Sequence, residues 1–110
     1  MPKMLSEKDL TYPEALRILE QEESKRDLTN IERYTLEYLR KFSKIGDPAK
    51  AREAVERLVK ELDIPETIAV QLVNVKPSDV SEVRVFLATL NKVFTEEELK
   101  KIIEILSSTE

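Results

Sequence analysis

The apolar positions of this 110-residue chain recur at intervals of three and four residues, which is the spacing of one face of an α-helix. Many of these blocks begin with a residue that caps a helix or with a proline suited to a first turn. The clearest beginnings are three Thr-x-x-Glu capping boxes, at Thr11, Thr29 and Thr95. We therefore predict an all-α fold with an extended N-terminal arm followed by about six helices.

The second predicted helix is apolar on more than one face. One stripe has helical spacing and contains Ile31, Tyr34, Tyr38, Phe42 and Ile45. Leu36 and Leu39 lie outside that stripe. A helix that is apolar on two sides is usually central, so we predict neighbours on both sides of this one. We expect Gly46 to end it in the left-handed conformation, Asp47 to cap the third helix, and that helix to span Pro48 to Leu62.

The segment from Ile64 to Leu87 permits two interpretations, since it is rich in β-branched residues but contains two prolines. As a strand, its apolar alternation breaks at Asn74. As a helix, it places Ile68, Leu72 and Val75 on one face. We therefore predict a helix over Ile68–Val75 with Leu72 buried, a turn at Pro77, and then a further short helix. The candidate caps of that helix are Ser78 and Asp79.

Composition narrows the range of functions. The chain has no His, no Cys and one Gly, and this excludes a Ser-His-Asp triad, a thiolate metal site and a disulfide framework. No phosphate-binding or metal-binding motif is present, so we expect no catalytic residue, cofactor or metal. The acidic clusters Glu22–Glu23 and Glu96–Glu98 are interpreted as helix-surface features. No signal-peptide or membrane-spanning segment is evident, so we expect a cytoplasmic protein without membrane contact.

Charge patterning argues against tight nucleic-acid binding by the chain alone. The net charge is −4, and the basic residues of the middle segment alternate with acidic ones, as on a solvated, ion-paired helix face. We expect at most weak contact with RNA, through Arg40, Lys44 and Arg57. Tyr34 and Tyr38 lie one helical turn apart. They could stack on bases, but a core or interface position is favoured.

Three stretches carry a resemblance to a known family: "YLRKFSKI", "REAVERLVKEL" and "TIAVQLVNVKPSDVSEVR". In order and spacing they resemble the stalk subunit of archaeal DNA-directed RNA polymerase that is called F and is related to the fourth subunit of eukaryotic RNA polymerase II. The resemblance implies a non-catalytic protein with an HRDC-like C-terminal part. It also implies a heterodimer with the second stalk subunit of that enzyme, which is called E and which we refer to as the stalk partner.

The same resemblance implies where the heterodimer acts. It would lie near the RNA exit path and support transcription initiation and elongation. The stalk partner would join the chain to the polymerase core and provide most of the contact with nascent RNA.

Residues 3–10 lack helical periodicity although several of them are apolar, so we interpret them as an arm that binds the partner. We expect residues 1–27 to form the partner-binding arm and first helix, and residues 28–110 to form the HRDC-like helical region. The expected partner contacts are Met4, Leu5, Leu10, Leu16, Leu19, Tyr34 and Tyr38. The alternative is a stand-alone helical adaptor or an HRDC-like nucleic-acid-binding module. An enzyme is the third and least favoured class.

Overall fold

All regular secondary structure in the described part of the chain is helical. The computed structural model describes residues 10–43 and 46–109. Its helices are α1 (Tyr12–Glu23), α2 (Asn30–Phe42), α3 (Pro48–Leu62), α4 (Glu66–Val75), α5 (Val80–Leu87) and α6 (Glu96–Ser107). The predicted all-α fold is confirmed. Most of the predicted arm, including Met4 and Leu5, lies outside the described residues.

Local hydrogen bonds explain where the helices begin. At Thr11, Thr29 and Thr95 both halves of the capping box are present: the threonine hydroxyl accepts from the backbone N–H of the glutamate, and the glutamate accepts from the backbone N–H of the threonine. Asp47 accepts from Ala49 N–H at 2.9 Å and so caps α3 as predicted. Of the two candidates for the cap of α5, Asp79 is the one that accepts a helix N–H.

The predicted end of α2 is wrong in its detail. The helix ends at Phe42, and its C-cap Ser43 is already extended, with φ −70° and ψ 121°. Gly46 therefore lies too far along to be the left-handed residue that ends this helix, and it has no positive φ. In the described chain, positive φ angles occur at Asp63 and Lys76, where α3 and α4 end.

The buried apolar residues form two separate clusters. The first cluster lies between α1 and α2 and consists of Leu19, Leu28, Leu36 and Leu39. The second cluster is larger and is built from α3, α4, α5 and α6, with Leu72 fully buried inside it. The predicted helix over Ile68–Val75 and the burial of Leu72 are thus confirmed. Apolar packing groups α1 with α2, and α3 with the three helices that follow it.

Candidate partner-binding surface

The outer face of α2 carries four large apolar side chains that are exposed to solvent. Ile31 is 73% exposed, Tyr34 75%, Tyr38 44% and Phe42 49%. We call these four residues the aromatic stripe. They are spaced three or four residues apart and so lie along one side of the helix. Within residues 10–43 and 46–109, the Leu36 side of α2 packs into the first apolar cluster, and on the stripe side Tyr12 of α1 contacts Tyr38. A further neighbour that covers the stripe stays a prediction.

Ring contacts fix part of the aromatic stripe and extend it to α1. Tyr38 packs against Phe42 with ring centroids 4.7 Å apart, and the edge of Tyr12 meets Tyr38 at 6.2 Å. Burial raises the pKa of Tyr12, and a hydrogen bond with Tyr38 raises it further. Tyr12 is the first residue of α1, so the beginning of that helix lies beside the stripe. An aromatic row that is held in place before binding loses less entropy when a partner covers it.

An ion pair between a partly exposed arginine and a buried glutamate stabilises the turn between α1 and α2. Arg26, in the turn after α1, donates to both carboxylate oxygens of Glu32 on α2, at 3.0 and 2.8 Å. Glu32 is buried and also accepts the N–H of Thr29 at 2.9 Å. The hydrogen bonds from Arg26, followed by that from Thr29, lower the pKa of Glu32 to about 2. The sequence indicated only the capping role of Glu32, because its pairing with Arg26 depends on how the turn folds.

The expected partner-binding residues differ in their accessibility. Tyr34 and Tyr38 belong to the aromatic stripe, and Leu10 is partly exposed. Leu16 is half-buried against the first apolar cluster. Leu19 has no exposed surface, because it fills the space between α1 and α2. It therefore supports α2 from within, and its expected contact with a partner stays a prediction.

The residues expected to face RNA do not form a free basic surface. Arg40 lies within 3.5 Å of Glu20 and 3.3 Å of Glu23. Arg57 pairs with Glu61 at 2.8 Å, and hydrogen bonds from Arg57 and then from Lys101 lower the pKa of Glu61 to about 2. Lys44 lies outside the described residues. Arg40 and Arg57, the two described residues of this group, are thus each engaged by acidic side chains.

Sequence reasoning missed Tyr12 and did not assign Ile31 or Phe42 to the partner surface. A spacing of three or four residues indicates that Ile31, Tyr34, Tyr38 and Phe42 share one face of a helix. It does not indicate whether that face is buried or exposed. Tyr12 gave no signal, because its contact with Tyr38 arises only when α1 folds back on α2.

Residues 10–43 and 46–109 contain no group of acidic side chains arranged to hold a metal ion. The acidic clusters have structural roles: Glu22 pairs with Arg26, and Glu98 completes the capping box of α6. None of the described helices is both long enough and apolar enough to cross a membrane.

These features define a small helical protein. The most distinctive surface of its described residues is the apolar face of α2 that is exposed to solvent. Comparison with known families matches residues 3–110 to the family described as RNA polymerase Rpb4. A relative from Methanocaldococcus jannaschii, described as DNA-directed RNA polymerase subunit Rpo4, is 32% identical over 104 residues. The matched region covers 94% of this chain and 86% of that relative. The chain belongs to the RNA polymerase Rpb4 family, which confirms the resemblance seen in its sequence.

Proposed function

We propose that this chain is a non-catalytic stalk component of DNA-directed RNA polymerase. In this proposal it forms a heterodimer with the stalk partner near the RNA exit path in the cytoplasm and supports transcription initiation and elongation. Family membership supports the polymerase assignment. The observation that carries the heterodimer is the aromatic stripe, since monomeric proteins rarely leave a contiguous row of large apolar side chains in water.

The N-terminal arm and the aromatic stripe would form one continuous surface for the stalk partner. The arm joins α1 at Tyr12, and Tyr12 touches Tyr38 at the stripe. An extended arm that adds a strand to the edge of a partner's sheet would bring that partner next to α2. We therefore propose that the partner-binding part extends beyond residue 27 to include α2. Met4, Leu5 and Leu10 would contribute from the arm, and Tyr34 and Tyr38 from the stripe.

In this proposal nascent RNA is contacted mainly by the stalk partner. Arg40 and Arg57 are engaged by acidic neighbours, and the chain has a net charge of −4. A protein that holds RNA by itself usually presents a coherent basic surface, because phosphate contacts supply most of the affinity. The α3–α6 bundle would be the HRDC-like part, with a role in shaping the stalk instead of in reading RNA.

Co-expression with a cognate stalk partner followed by size-exclusion chromatography tests the proposal. We expect the wild-type chain and the stalk partner to elute as one complex, and a Tyr34→Ser/Tyr38→Ser variant to elute separately from it. The matched control is Val85→Ser/Val93→Ser, because these two valines are also highly exposed but lie on the other apolar unit. That control should assemble like the wild type. A wild-type chain that stays monomeric would support the adaptor alternative. Full assembly of the tyrosine variant would show that the interface with the stalk partner lies elsewhere on the chain.

The structure also indicates which N-terminal truncation tests the arm without removing part of the folded helices. Removing residues 1–27 deletes Leu19 and uncovers Leu36 and Leu39, so it damages the fold together with the interface. Removing residues 1–9 leaves α1 with its Thr11 capping box intact. We expect this shorter truncation to weaken assembly with the stalk partner while the far-ultraviolet circular dichroism of the remaining helices is retained. Full-strength binding would show that the arm makes no contribution.

A further inference from the structure

The contacts that join the two apolar units include a small group of polar side chains. The first cluster, between α1 and α2, and the second cluster, in the α3–α6 bundle, share no residue. At the junction α1 packs against α3, with Thr11 and Pro13 buried, and the N-terminal turn of α1 is also joined to α3 and α4 by hydrogen bonds and an ion pair. Interfaces between units of one chain allow relative motion unless they are large and hydrophobic.

The ion pair at this junction joins Glu14 on α1 to Arg52 on α3. Both carboxylate oxygens of Glu14 accept from Arg52, at 2.7 and 2.9 Å, and both side chains are largely withdrawn from solvent. Burial alone would raise the pKa of Glu14, but the hydrogen bonds from Arg52 and Thr11 outweigh burial and lower it. The pairing of a planar guanidinium with both carboxylate oxygens fixes direction as well as distance.

A second hydrogen bond joins the same turn of α1 to α4. The backbone N–H of Tyr12 donates to Oδ1 of Asn74 at 2.7 Å. This N–H belongs to the first helical residue and has no partner inside α1. Asn74 is the polar residue that interrupts the apolar alternation of its segment, and this bond gives it a role. Thus α1 is held by an acceptor on α4 and by a cation on α3.

We propose that Glu14, Arg52 and Asn74 form a polar latch that fixes the α3–α6 bundle against α1, and that the latch opens while both apolar cores stay folded. Water can replace each of the three hydrogen bonds when the latch opens, whereas it cannot replace the packing inside either cluster. The bundle would then change its orientation relative to α1 and the aromatic stripe. This inference concerns the chain alone and does not depend on the identity of the partner.

Distance measurements between spin labels test the latch in the full-length chain. The sequence contains no cysteine, so labels attach only where a cysteine is introduced. One pair, Arg33→Cys on α2 and Lys100→Cys on α6, measures across the junction. A second pair, Glu53→Cys on α3 and Lys100→Cys, measures inside the bundle. All three positions are exposed.

Three latch variants are compared with one matched control. Glu14→Gln keeps a side chain that can complete the capping box but removes the charge, Arg52→Met keeps the apolar stem, and Asn74→Ala removes the acceptor. The control Arg57→Met removes a similar arginine–glutamate pair from the same helix, but that pair lies within α3. We expect each latch variant to broaden the distance distribution across the junction and leave the distribution inside the bundle unchanged. The control should change neither.

Combining two substitutions gives a further criterion. Because Glu14 and Arg52 act on each other, the Glu14→Gln/Arg52→Met double variant should broaden the distribution no more than the stronger single variant does. Distributions across the junction as narrow as that of the wild type in all three latch variants would overturn the proposal. Equal broadening inside the bundle would also overturn it, since that result means the core itself has loosened.

Discussion

Replacing Tyr34 by serine should separate partner binding from folding. Tyr34 has the most exposed aromatic ring of the stripe, at 75%, so the free chain gains little from it. Tyrosine and serine have similar helix propensities, so the substitution should leave α2 intact. We expect the free energy of unfolding of the isolated chain to change by no more than about 0.5 kcal/mol, the usual range for a surface substitution.

The effect on binding should be much larger, and its size follows from the exposed area. A tyrosine side chain buries about 150–250 Å² when it is fully covered. With 75% of Tyr34 exposed, a partner can cover roughly 110–190 Å² more, which is worth about 3–5 kcal/mol at about 25 cal/mol per Å². Ordering the side chain costs about 0.5–1.5 kcal/mol, leaving about 2–4 kcal/mol. That corresponds to a Kd for the stalk partner raised about 30- to 1,000-fold.

Isothermal titration calorimetry measures the Kd of the stalk partner for the wild-type and Tyr34→Ser chains. Urea unfolding of each chain alone measures its free energy of unfolding. Val93→Ser is the control for binding, because Val93 is 93% exposed but lies in the loop between α5 and α6. An unchanged Kd for Tyr34→Ser would refute the argument that the stripe is covered by the partner. A large loss of stability in the free chain would refute the argument that Tyr34 contributes little to folding before the partner binds.

Three further outcomes follow from other parts of the structure. Leu72→Ala should lower the free energy of unfolding by about 2–5 kcal/mol in urea denaturation, and a neutral effect would contradict a core position. Because Arg26 holds the pKa of Glu32 at about 2, below its unfolded value, the wild-type chain should be more stable than Glu32→Gln near neutral pH. It should lose that advantage as the pH falls from about 5 to about 2, which urea unfolding at several pH values would show. Charge reversal at Arg40 and Arg57 should reduce RNA affinity of the assembled heterodimer slightly or not at all in filter binding, and a loss of several-fold would indicate direct phosphate contacts.

The parts of the fold that depend on neighbouring residues in sequence could be predicted. The capping boxes at Thr11, Thr29 and Thr95 are completed within four residues, so their sequence determines them almost alone. The end of α2 was harder to predict. A glycine shortly beyond the last apolar positions is compatible with several stopping points, and the helix ends at Phe42, before Gly46 can act.

The candidate site could be predicted only in outline. The spacing showed that α2 has two apolar faces, but not which face is inside. That choice depends on Leu19, which α1 places against Leu36 and Leu39, and it leaves the aromatic stripe outside. The role of Asn74 was equally hidden. The residue looked like an interruption of an apolar segment, and only the folded position of Tyr12 provides its hydrogen-bond partner.

The most direct test of the proposed partner surface is photocrosslinking from position 34 in the assembled heterodimer. A photoreactive phenylalanine analogue replaces Tyr34 in one sample and Val93 in a second, and the crosslinked products are identified by mass spectrometry. We expect illumination to join position 34 to the stalk partner, and position 93 to give no such product. An assembled heterodimer that yields no crosslink from position 34 would contradict the claim that the aromatic stripe of α2 is the surface that the stalk partner covers.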